Sequence, residues 1–302
     1  MKFSRLSLIS LIASFVLTLG LFPACDIIEA PYVEKSAGVL PLDSLCEIEA
    51  AGIDPFGAGS PATVRKLLLE EMTGHQCGNC PEATAIVHKL RNVDHPGRIV
   101  TIAIHAGPLA AVKSTGSRYT TEFRTPEGTR LYSEFNLFDA VPFTLFNRNT
   151  YALGTSQVEN RANQQLQLPV EAGIRIFNCY DEESRELTTI IDVKYLVDAT
   201  AQEFLAVYLT EDNIVDWQTD YKRSENDIPD YIHHDVFRGS INGIWGESLG
   251  SSGQVKSGNR FTKAYTIPID AAFDVNQCKV VAFVHDFDTR IVRQVEEAKV
   301  MP

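Results

Sequence analysis

The chain has 302 residues, of which 44% are hydrophobic and 22% charged, a balance that supports a buried core and excludes disorder over the whole length. A formal net charge of -12 with a pI near 5.1 argues against nucleic acid or anionic lipid as a partner, since both demand a positive surface.

Lys2 and Arg5 precede an apolar run over residues 6–22 that stops at Pro23, Ala24 and Cys25. A charged start, an apolar middle and a small residue before a cut site describe an export signal over residues 1–24. The run is shorter than the roughly 20 apolar residues that comfortably span a bilayer, and no later segment approaches that length. Residues 22–25 resemble a lipoprotein processing box, which implies a diacylglycerol on Cys25 and attachment to a membrane through that lipid. Residues 25–62 read as a tether, because Pro31, Pro41, Pro55, Pro61 and the small residues at 57–60 interrupt any period.

Two domains follow. In the first, over residues 63–169, a strand at 64–72 leads into Cys77 and Cys80, Pro81 opens a helix over 81–91, and a second strand at 99–105 lacks alternation, as a strand buried on both faces does. An irregular insertion at 108–124, a helix at 126–138, a strand at 141–146 and a helix at 156–168 complete a small α/β domain. Over residues 170–302 the texture changes to strands at 173–180, 187–197, 203–210, 231–240, 260–267, 279–286 and 289–296, the spacing of an antiparallel, immunoglobulin-like β-sandwich.

Export puts the remaining cysteines in an oxidising compartment. With Cys25 carrying lipid, Cys46, Cys77, Cys80, Cys179 and Cys278 remain, an odd set in which at least one thiol is free, bound or engaged in chemistry. Cys179 and Cys278 both fall in strands of the second half, where a bridge and two buried thiols are equally open, and Cys46 is left to pair elsewhere. Cys77 stands where a helix N-terminus and its unpaired N–H groups stabilise a thiolate, which makes it the natural nucleophile, with Cys80 one turn inward as the resolving thiol.

Glu71, six residues before Cys77, then the run Cys77, Gly78, Asn79, Cys80, Pro81, and later Val141, Pro142, Phe143, Thr144 resemble the thioredoxin arrangement. The resemblance spans residues 64–168 and implies a thioredoxin-like fold in which Glu71 relays a proton to Cys80 and a cis-proline at Pro142 shapes the contact with an extended substrate. A closer resemblance takes in both halves. Residues 73–82, 104–107 and 231–238, with Asn242, Gly243 and Gly246, are similar to the Omp28-related outer-membrane lipoproteins, which join a thioredoxin-like domain to a β-sandwich. This implies an outer-membrane location, on the periplasmic or the cell-surface face, and carries no activity over with it.

Three readings of Cys77 and Cys80 stand at this point. In the first the chain is a thiol–disulfide oxidoreductase acting on exported thiol proteins, with Cys77, Cys80, Glu71 and Pro142 as its catalytic set. In the second it is not an enzyme, the pair is a structural disulfide, and the protein serves binding, adhesion or assembly with an envelope partner. In the third the cysteines join His75 or His105 in a copper site. No cofactor is called for. His233, His234 and Asp235 are adjacent on a predicted strand and point to opposite faces, which suits a turn or packing role better than one metal ion. The acidic stretches at 180–184 and 220–230 lack the ligand spacing of a calcium loop and read as solvated surface. No phosphate loop or nucleophile elbow is present.

Overall fold

In the computed structural model, residues 64–249 and 255–301 are described; the expected export signal and tether, with Cys25 and Cys46, lie outside them. Strands β1 (Leu67–Thr73) and β2 (Ile99–His105) pair in parallel, from Leu67 opposite Ile99 to Thr73 opposite His105, with helix α1 (Cys80–Lys89) between them. On the other side of β1, β3 (Phe143–Phe146) runs antiparallel to it and β4 (Thr150–Leu153) forms the edge. Helix α2 (Pro126–Phe135) starts where the Thr125 hydroxyl accepts from the Gly128 N–H, and helix α3 (Val158–Leu166) follows β4.

The chain then continues as β5 (Ala172–Asp181), β6 (Glu186–Tyr195), β7 (Glu203–Glu211), β8 (Ile214–Thr219), β9 (Asp227–His233), β10 (Val236–Ser240), β11 (Glu247–Ser248), β12 (Arg260–Pro268), β13 (Cys278–Asp286) and β14 (Val292–Lys299). These do not form a domain of their own. Strand β10 pairs in parallel with β2, at Val236 opposite Ala103, and antiparallel with β7, so one sheet runs β14-β13-β7-β10-β2-β1-β3-β4, with β11 on β7 as its ninth strand. Strands β12, β6 and β5 form a second sheet, and β8 with β9 a separate two-stranded one.

Alternation along the strands shows how the layers form. Leu68 and Met72 of β1 face the same side as Tyr208, Phe237 and Phe283 from the C-terminal half, and α2 covers them with Leu131 and Tyr132. Leu67 and Leu69 face the other side, where α1 and α3 supply Val87, Ala162 and Leu166. Further along that same side, Leu205, Val207, Val280 and Val284 meet Ile174, Ile191 and Val193 of the second sheet.

The expected thioredoxin-like α/β domain followed by an all-β immunoglobulin-like sandwich is therefore corrected: the fold is mostly β, with three α-helices among the described residues and one mixed sheet built from both halves of the chain. The physical reason lies at Asp235, which stands between β9 and β10 at φ +50°. Its carbonyl accepts from the Ala103 N–H at 2.8 Å, and its buried carboxylate accepts from Thr101, from Arg91 and, at 2.6 Å, from Lys279 of β13. Those bonds fasten the later strands to β2 and carry the sheet across the expected boundary. The predicted strand at 231–240 is accordingly two strands, broken at His234 and Asp235.

Candidate functional site

Leaving β1, the chain turns through Gly74 into the segment that carries the cysteines. A Cβ on Gly74 would lie 2.6 Å from the Leu109 carbonyl group, so the backbone passing over that position requires glycine, and one on Gly78 would lie 2.5 Å from the exposed Tyr221 ring, which would have to move. Cys77 and Cys80 form a disulfide with their Cα atoms 5.4 Å apart, at the start of α1, where Pro81 occupies the first turn.

Thr84 is four residues after Cys80 and so shares its helix face. The Thr84 hydroxyl donates to Glu71 at 3.2 Å, which places that carboxyl under the face carrying Cys80. Glu71 is buried, and burial pushes its pKa up to about 7, with the negative charge of Asp235 adding to the effect and the Thr84 bond opposing it. Pro142 follows a cis peptide bond, and the pairing of Phe143 with Met72 sets it at the end of β1 from which the cysteine segment departs. The fold thus brings Glu71, Cys77 and Cys80 together beneath the first turns of α1 and puts Pro142 at the same end of the sheet.

Over this group lies the hairpin of β8 and β9. The Gln218 side-chain amide donates to the carbonyls of Cys77 at 3.0 Å and Gly74 at 3.4 Å. The Thr219 N–H donates to the His75 carbonyl at 2.8 Å, and the Tyr221 N–H to that of Gly78 at 2.9 Å. From the other flank, Gln76 donates through its N–H to Leu109 at 2.9 Å and through its amide to Ala111 at 2.6 Å. Both cysteines are consequently only 2% exposed. Gln218 and Tyr221 belong to no motif and were not anticipated. Trp217, Tyr221 and Tyr231, flanking an acidic turn, are the signal in the sequence that this stretch packs on something.

His75, His105 and His233 are buried beside the same segment. His105 lies 4.8 Å from the Phe123 ring and 5.5 Å from His233, and His75 lies 5.3 Å from Tyr119. Burial lowers the pKa of all three, that of His233 to about 4, so the cluster packs as neutral rings. Among the described residues no group of three or more His, Cys, Asp or Glu side chains is placed to hold an ion. His75 and His105 pack on aromatic rings, and the copper reading finds no ligand set here. Of the other cysteines, Cys278 is a buried free thiol and Cys179 is disulfide-bonded, so these two do not bridge each other.

The Tyr221 ring lies against Gly78, between the two cysteines in the chain. Tyr221→Ala is expected to speed reduction by dithiothreitol roughly tenfold, the change that losing about 1.4 kcal/mol of ring contact would give. An unchanged rate, followed by thiol release with a chromogenic disulfide, would show that Tyr221 does not limit access.

The profile of the family described as outer membrane protein Omp28 matches residues 129–302. The chain belongs to this family. Membership places it in the cell envelope at the outer membrane. The matched span begins after the cysteine pair, so it says nothing of Cys77 and Cys80. Among solved structures, an Agrobacterium tumefaciens protein is 12% identical, with 78% of this chain and 95% of that one covered at a TM-score of 0.48. A domain of the outer membrane lipoprotein Omp28 from Porphyromonas gingivalis is 21% identical, with 43% of this chain and 95% of that one covered at a TM-score of 0.30. No curated protein matches. Among the described residues of this Omp28-family protein, no helix is long and apolar enough to cross a membrane.

Proposed function

We propose that this Omp28-family protein is held to the outer membrane by a lipid on Cys25 and carries out thiol–disulfide exchange on exported proteins. The observation that carries the reading is Glu71, a buried carboxyl whose pKa stands near 7 under the helix face of Cys80. A group titrating there takes or gives a proton at the pH of the envelope, which a purely structural disulfide does not need. In the reducing direction, the Cys77 thiolate attacks a substrate disulfide, forms a mixed disulfide and displaces one substrate thiolate. Cys80 then loses its proton to Glu71, attacks the Cys77 sulfur and releases the second substrate thiolate. The pair is oxidised by two electrons and the substrate reduced by two. Pro142 shapes the contact with the extended substrate.

One observation favours a second reading. Both cysteines are only 2% exposed beneath the hairpin, which suits a structural disulfide in a protein that binds or assembles with an envelope partner. Cys80→Ala separates the two. Exchange predicts that this variant accumulates mixed disulfides with envelope proteins, resolved on non-reducing gels, and that the Cys77–Cys80 couple lies above about -300 mV. No trapped partner together with a potential below that value would leave only the structural reading.

A further inference from the structure

A cleft of about 690 Å3 opens between one face of α1, at Pro81, Thr84 and His88, and strand β9. Ile228, Pro229, Asp230, Tyr231 and Ile232 are consecutive in the chain and all line it. One face of a strand shows only alternate residues, so the cleft runs along the edge of β9 rather than across a face. That edge is unpaired: β9 exchanges ladder bonds with β8 alone, and no other backbone bond involves residues 228–232 among the described residues. Pro229 lacks an N–H and keeps the open edge short, which limits pairing to a segment of a few residues.

The charge around this edge is one-sided. Arg223 is the cation lining it, and it lies 3.7 Å from Asp220, while Asp227 is engaged by Arg118 and Tyr119. At the rim Lys222 meets Glu82 at 3.4 Å. Among the described residues, Glu225 and Asp230, both exposed, make no ion pair or hydrogen bond. An unpaired strand edge attracts extended backbone, and uncompensated carboxylates beside it select for positive side chains.

We infer that this cleft binds an extended, lysine- or arginine-bearing segment of an exported protein, added to the edge of β9 as a third strand beside the Cys77–Cys80 disulfide. The inference supplies a partner class for the proposed exchange and rests on that reading for its purpose. Binding itself needs no thiol, so the two are tested apart with peptides that lack cysteine.

The experiment uses the oxidised full-length protein and three fluorescent peptides read by anisotropy: one alternating Lys with Thr and Val, one with Glu in place of Lys, and the Lys peptide methylated on alternate backbone nitrogens. The Lys peptide is expected to bind at least tenfold more tightly than the Glu peptide and to weaken several-fold between 50 and 500 mM salt, roughly as the screening length falls. Backbone methylation is expected to abolish binding, and Glu225→Lys with Asp230→Lys to reverse the preference between the charged peptides. Circular dichroism of that variant checks that it folds. Equal binding of the Lys and Glu peptides, full binding of the methylated one, no binding at millimolar peptide, or occupation of the cleft by a second copy of the chain in sedimentation would each overturn the inference. Failure of Cys80→Ala to trap partners while the Lys peptide still binds would remove the exchange reading and leave the docking site.

Discussion

Replacing Arg148 by methionine is expected to lower the unfolding free energy by about 3–5 kcal/mol, the range for breaking a buried ion pair at one end. Arg148 sits in the turn between β3 and β4 at φ +54°, and its guanidinium is bidentate to Glu70 of β1, at 2.8 and 2.6 Å. The same group reaches the Tyr208 hydroxyl at 3.2 Å and lies over the rings of Phe135 and Phe283. Both partners are almost wholly out of water, with side chains 0% and 1% exposed. Methionine keeps the unbranched apolar stem without the guanidinium and leaves Glu70 as an unpaired charge in the core, which is where the cost arises. The double variant Glu70→Leu with Arg148→Met removes both charges and should regain most of the loss, because apolar groups of similar volume replace a buried pair at little penalty. Urea denaturation of the three proteins decides it. If single and double variants are equally unstable, packing of the turn and not the charge holds this corner.

Glu71→Gln is expected to change the pH dependence of stability more than any other single carboxamide substitution at the site. The unfolded carboxyl titrates near 4.5 and the folded one near 7, so between those values the native state holds a proton that the unfolded chain has lost. The stability contributed by the neutral form is complete below the lower value and is lost as the pH rises through the upper one. A shift of that size corresponds to about 3 kcal/mol. Glutamine imitates the protonated acid at every pH, so the difference between variant and wild type should be near zero at pH 4 and grow to that figure, in favour of the variant, by pH 8. The difference cancels the other titrating groups, including the buried histidines. Parallel curves would show that Glu71 is solvated. If the pair exchanges thiols, the same substitution should also remove an inflection near pH 7 from the rate profile.

Many single elements were legible in the sequence, because local composition sets them. The apolar run at 64–72 and the unalternating one at 99–105 marked two buried strands, observed at Leu67–Thr73 and Ile99–His105, Pro81 marked the start of α1, and Pro126 that of α2. The strands at 172–181, 186–195, 203–211 and 278–286 lie within two residues of their predicted positions. The short edge strand β4 and strand β8 were missed: four residues make too weak a pattern, and β8 borders an acidic turn that reads as surface. Of the candidate site, Cys77 and Cys80 could be named from their spacing before a helix, and Glu71 and Pro142 from the resemblance to the thioredoxin arrangement. Gln218 and Tyr221 could not, since they reach the cysteines from about 140 residues away, and no local pattern records which distant segment covers a site.

By itself the sequence determined the kinship to the outer-membrane family and the chemistry available in the cysteine pair, since both reside in residue types at short spacings. Only the tertiary structure decided that two expected domains share one sheet. Strand pairing is non-local: β10 joins β2 through backbone bonds and through the carboxylate of Asp235, which gathers Arg91, Thr101 and Lys279 from separate elements. The same holds for the closed state of the disulfide. Its spacing advertises reactive thiols, while the backbone at Leu109 over Gly74 and the Tyr221 ring over Gly78 accompany cysteines that are both buried, and that depends on where the chain returns rather than on what the residues are.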